Sequence, residues 1–169
     1  MTDPLLESWH DYFLMVGGGA AALAGLVFVA MSLNLKTVVE DASHRNRAVG
    51  TLSGFTAVFI LCGLALMGGQ SEFWVGTEWL VVSLVSGAIY INGYVQAVKG
   101  GGSRTALSLW RTVFGTACHV GQAIGAIFII SGYALGFSIA GVAMTVFFAS
   151  LISGAWLLLV GICNDNPPR

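Results

Sequence analysis

Long uncharged stretches divided by short charged connections organise the whole chain. Asp11 and Lys36 enclose 24 residues without a charge, Arg47 and Glu72 another 24, Glu78 and Lys99 a further 20, and Arg111 and Asp165 a final 53. A run of about 20 apolar residues carries a helix across the roughly 30 Å hydrocarbon core of a bilayer, so each of the first three stretches predicts one span. The fourth would extend about 80 Å as a single helix at about 1.5 Å per residue, so it predicts two spans with a turn between them. Residues 131–138, with Gly132 and Gly136 around the interface-seeking Tyr133, supply that turn. The pattern therefore predicts an all-α, polytopic membrane bundle of five helices, at about 12–35, 49–69, 79–98, 111–132 and 138–162, in one integral membrane domain over residues 1–169.

Composition agrees with this pattern. Hydrophobic residues make up 56% of the chain, charged ones only 9%, and the mean hydropathy is +0.84, far above what a soluble domain of this size needs for its core. Threading the chain through five spans puts Lys36, Arg45, Arg47, Lys99, Arg104, Arg111 and Arg169, which are all 7 cations, on one face. Asp3, Glu7, Asp11, Glu72 and Glu78 fall on the other. By the positive-inside rule the N-terminus is expected outside and the C-terminus in the cytoplasm, with the protein multi-pass in the cell membrane. An acidic leader and an apolar run that continues to Leu35 argue against a cleaved signal peptide. Trp9, Tyr12, Phe13, Trp74 and Trp79 are expected at headgroup level as interfacial anchors.

Small residues recur along the spans, and the chain holds 23 glycines. In lipid the hydrophobic effect does not drive helices together, so close van der Waals approach through Gly, Ala and Ser takes its place. Gly18, Ala21, Ala22, Gly25 and Ser32 line one side of the first span, Gly121 and Gly125 mark the fourth, and Gly141, Thr145 and Ala149 mark the fifth. These stripes are expected to hold the bundle together, with some of them facing a neighbouring subunit.

The fourth span has the most polar content. At 100° per residue, Arg111, Thr112, Gly115, Thr116, His119 and Gln122 share an arc of about 140°. His119 lies about 12 Å inside the boundary set by Arg111, where an ionisable group either lines a functional path or is hydrogen-bonded between helices. On the third span Ser83, Ser86, Gly87, Tyr90 and Tyr94 share a face, so the two polar arcs are expected to meet. Ser32 and Asn34 close the first span and Thr51 opens the second, adding polar groups toward the basic side. On the acidic side His10, Asp11, Glu72 and Glu78 are candidates for holding a cation, although acidic outer loops also follow from orientation alone.

Several chemistries find no support in these residues. His10, His44 and His119 are expected outside, inside and within the bilayer, so no pair holds one haem. Cys62, Cys118 and Cys163 form no closely spaced set for a metal or a thiol relay. Gly17, Gly18 and Gly19 lack the lysine of a phosphate loop, and no serine has a base beside it. We therefore expect no enzyme activity, no metal, no cofactor and no nucleic-acid partner.

The stretch Trp9, His10, Asp11, Tyr12, Phe13, followed by Ala24, Gly25, Leu26, Val27, Phe28, Val29, Ala30, Met31, Ser32, Leu33, Asn34 and Leu35, resembles a family of small multi-span bacterial membrane proteins, mainly actinobacterial and of unknown function. Gly69, Gln70 and Ser71 add a weaker echo. Some members are labelled modulators of a membrane AAA+ protease, and no catalytic residues come with the resemblance. The expected function is that of an oligomeric or accessory membrane subunit, in contact with lipid and with copies of itself or a larger membrane protein. The alternative is a small ion or solute channel or carrier, with a polar path around His119 and Gln122.

Overall fold

The computed structural model describes residues 4–35, 42–99 and 106–165. A short helix, α1 (Pro4–Ser8), leads into five long ones: α2 (His10–Leu33), α3 (Ala42–Leu66), α4 (Glu72–Lys99), α5 (Ala106–Ile130) and α6 (Leu135–Asp165). Each long helix contains a stretch long and apolar enough to cross a membrane, namely His10–Leu33, Ala48–Leu66, Glu72–Gly93, Leu109–Ile130 and Leu135–Trp156. The exterior is apolar as well as the core, with Leu14, Phe28, Leu84, Val113, Ile127 and Val142 all exposed. Such a surface suits lipid and would aggregate in water.

The third long helix starts at Glu72, seven residues before the expected 79. A carboxylate is favourable in the first turn of a helix, so Glu72 opens this one, and the membrane-length stretch Glu72–Gly93 takes in Glu78 as well. The connection before it shrinks to residues 67–71, where Gly69 takes a positive φ of 83°. The expected turn after α5 is present and tight. Gly132 has φ +77°, its N–H reaches the carbonyl of Ile129 at 2.9 Å, and the Tyr133 N–H reaches that of Phe128 at 2.9 Å. These two bonds form a Schellman stop, in which the left-handed residue is almost always glycine.

Consecutive long helices pack side by side, and α3 sits at the centre in contact with α2, α4 and α6. Glycines set the closest approaches. A Cβ on Gly17 would lie 2.8 Å from Cys62 Cβ, and one on Gly54 would lie 2.5 Å from Leu151 Cδ2, which brings α2 and α6 tightly onto α3.

At one end of the bundle Trp9, Tyr12, Phe13, Trp79 and Phe137 form a continuous aromatic cluster. This corrects the expectation that Trp9, Tyr12, Phe13 and Trp79 are anchors at the lipid surface. Trp79 is only 1% exposed and donates its Nε1–H to the Leu61 carbonyl at 2.9 Å. Tyr12 donates its hydroxyl to the Gly141 carbonyl at 2.7 Å and meets Thr145 Oγ1 at 3.0 Å. An amphipathic ring can sit in a core once its polar tip has a protein partner, and here the carbonyls of α3 and α6 provide it. Trp74 and Tyr133 do stand outward, at 59% and 63% exposure.

Candidate intramembrane polar site

The polar residues of α4 and α5 meet, as their shared periodicity implies. On α4, Gly76, Ser83, Ser86, Gly87 and Tyr90 fall within about 100° of one another, and on α5, Gly115, His119, Gln122, Ala126 and Ile130 fall within about 80°. The antiparallel register is fixed at three levels. Gly76 faces Ala126 and Ile130, Gly87 faces His119, and Tyr90 faces Gly115. Ser83 and Gln122 therefore lie at the same level, between the first of these and the second.

Glycines open the space that the site occupies. A Cβ on Gly115 would fall 2.6 Å from the Tyr90 hydroxyl, which donates to the Arg111 carbonyl at 3.0 Å. A Cβ on Gly87 would lie 3.4 Å from His119 Cβ, so glycine there lets the imidazole come close to the α4 backbone. The imidazole is 5% exposed, and its ring centre lies 4.6 Å from that of Phe147 and 5.8 Å from that of Tyr90.

Ser86 and His119 are joined by a long contact of 3.4 Å between Oγ and Nδ1. The Ser86 hydroxyl donates to the Val82 carbonyl at 2.7 Å, a much shorter bond. With that proton committed, Ser86 Oγ can accept from Nδ1–H of the imidazole, and in the neutral tautomer with that proton Nε2 is free to accept. Gln122 lies beside the imidazole, one turn along α5. It is 2% exposed and close enough to act on the imidazole, yet neither its Nε2 nor its Oε1 reaches hydrogen-bond geometry with any of the described residues. Ser83 Oγ, also 2% exposed, is unpaired too. Leaving a buried polar group unpaired typically costs about 1–3 kcal/mol, so these atoms stand out in an otherwise apolar core.

At the foot of the arc the Arg111 side chain lies along α6, with Nη2 2.6 Å from the position a Cβ on Gly154 would take. Thr51 of α3 borders the same spot. Thr112 and Thr116 are half-buried on α5. No known protein family, curated protein or solved structure matches this chain.

Other expected site residues separate from this cluster. Asn34 bonds back to the Ala30 carbonyl of its own helix at 3.0 Å, and Ser32 does the same to Phe28 at 2.9 Å, so neither joins the path expected around His119. The Tyr94 side chain lies outside the described residues. Among the cation candidates, Glu78 takes hydrogen bonds from Gln70 Nε2 at 3.3 Å to each oxygen, tying the loop to α4. His10 and Asp11 are exposed at the start of α2, and Glu72 opens α4. No group of three His, Cys, Asp or Glu side chains suited to a metal forms among the described residues.

The small-residue stripes divide into two kinds. Gly121 and Gly125 are packed inside the chain, since a Cβ on either would come within 3.0 Å or less of Ala143 or Ala140 on α6. Gly18 and Gly25 have nothing within 4 Å of an added Cβ, and Ala21 and Ala22 between them are exposed. Sequence reasoning missed Phe147 as the wall over His119, because the register of α6 against α5 sets that contact and no motif announces it.

Proposed function

We propose that this chain is a non-enzymatic subunit of the bacterial cytoplasmic membrane, with its N-terminus outside, and that it works by helix contact with other copies of itself. The open stripe on α2 carries this reading. A glycine inside a helix costs about 1 kcal/mol relative to alanine unless close packing offsets it. On the buried side of α2, Gly17 faces Cys62 and Gly19 faces Phe148, so the chain itself provides that packing. On the exposed side, Gly18, Ala21, Ala22 and Gly25 form a shallow apolar trough that none of the described residues fills. A second helix laid in that trough gains the close backbone approach that drives association in lipid.

The stretch that resembles the multi-span bacterial family, residues 9–35, is this same helix. An accessory role beside a larger membrane protein would use the same trough. Burial of both His119 and Gln122, with Tyr90 and Phe147 packed against the imidazole, supports a packing role for them over a solute path through a single chain.

Cysteine cross-linking tests the reading. With the native cysteines replaced, Ala22→Cys in native membranes should give a disulfide-linked dimer on mild oxidation. Val81→Cys and Val142→Cys, exposed on α4 and α6, serve as references for other faces. Equal cross-linking from all three positions, or none from Ala22→Cys, would count against association through α2.

A further inference from the structure

We infer that Ser83, Gln122 and His119 enclose a binding site for one or two ordered water molecules midway along the α4–α5 interface. The first ground is the set of unpaired atoms. Ser83 Oγ, Gln122 Nε2 and Gln122 Oε1 are all buried and reach hydrogen-bond geometry with none of the described residues. The second is their placement, because the levels fixed by Gly76 with Ala126 and by Ser86 with His119 put Ser83 and Gln122 opposite each other. The third is the imidazole, whose Nδ1 lies 3.4 Å from Ser86 Oγ and which stands within side-chain reach of Gln122.

The chemistry of the set selects its guest. Ser83 donates and accepts, the Gln122 amide supplies two N–H donors and one carbonyl acceptor, and Nε2 of His119 accepts. A buried water needs two to four polar partners of mixed kind, and this group meets that need. An ion does not fit. No Asp, Glu, Lys or Arg occurs between Glu78 and Lys99 on α4 or between Arg111 and Ile130 on α5, so a bound charge would be uncompensated at mid-span. Arg111, the nearest cation along α5, is eleven residues from Gln122, or about 16 Å. Phe147 and Tyr90 pack against the imidazole, with ring centres 4.6 Å and 5.8 Å away, and add apolar wall to the site. In the bound arrangement Gln122 Nε2–H donates to a water, which in turn donates to Nε2 of His119. Ser83 and the Gln122 carbonyl complete the coordination.

The test uses the full chain in lipid bilayers, uniformly labelled with nitrogen-15 and carbon-13, and follows magnetisation passed from water protons by solid-state NMR. Transfer to the Gln122 side-chain amide should build up well before transfer to the neighbouring buried methyl of Ala126. Build-up at Gln122 no faster than at Ala126 would overturn the site. Thermal unfolding gives an independent reading. Where polar atoms are dry, an apolar isostere relieves them and raises the midpoint; where they hold water, it removes hydrogen bonds and lowers it. Ser83→Ala and Gln122→Met should each lower the midpoint, with the double variant losing less than the sum of the two. A folded variant of either kind with a raised midpoint would contradict the proposal. If Gln122→Met does not fold, Ser83→Ala still decides the matter through a slower water transfer to Gln122, and an unchanged rate would sink it.

Discussion

Gly125→Ala should destabilise the bundle by about 1–3 kcal/mol, the usual range for overpacking a filled core, and Gly125→Val should prevent its assembly. A Cβ on Gly125 would stand 2.7 Å from both the Cβ and the backbone N of Ala140 and 2.8 Å from the Gly136 carbonyl. The clash is mutual, since a Cβ on Gly136 would fall 2.6 Å from the Gly125 carbonyl. Most of these atoms are backbone, so no rotamer change relieves the contact and α5 and α6 must part. Gly63 on α3 provides the opposite case. No described residue lies within 4 Å of its added Cβ, so Gly63→Ala should leave stability unchanged or raise it by up to about 1 kcal/mol through helix propensity. Thermal unfolding of both variants in the same detergent checks the contrast, and equal effects at the two sites would refute this assignment of the α5–α6 contact.

Gly18→Leu combined with Gly25→Leu should dissociate the assembly while the single-chain fold persists. No described residue lies within 4 Å of a Cβ added at either position, so the new side chains point away from the bundle. They do fill the trough between Ala21 and Ala22, and a second helix is then held away by a full side-chain width. A loss of even 3 kcal/mol of contact energy corresponds to roughly a hundredfold weaker association. Analytical ultracentrifugation in density-matched detergent measures this, with unchanged helicity as the control for folding. An assembly that survives the double substitution would move the interface off α2.

Much of the fold was legible because charge is so costly in hydrocarbon. The gaps between Asp11, Lys36, Arg47, Glu72 and the later charges located every span, and Gly132 and Tyr133 marked the one turn that no charge announces. Helix ends were less legible. The charges put the start of the third span after Glu78, while the helix and its membrane-length stretch both begin at Glu72. The polar arcs on α4 and α5 could be read from periodicity alone, and Ser86, Tyr90, His119 and Gln122 do converge. Their cover could not, because Phe147 reaches His119 only through the register of a third helix. Trp79 shows the same limit, since a tryptophan near a predicted span end reads as an anchor until the Leu61 carbonyl is found to receive its N–H. Gly18 and Gly121 are equivalent as sequence, both members of small-residue stripes. Only the packed helices distinguish an internal seam from an open face.

The mass of the particle released from a lipid nanodisc into the gas phase tests self-association through α2 most directly. The expected result is a discrete multiple of the 17.7 kDa chain that collapses to a single chain in the Gly18→Leu, Gly25→Leu variant. A wild-type protein that is one chain per particle at every protein-to-lipid ratio would contradict it.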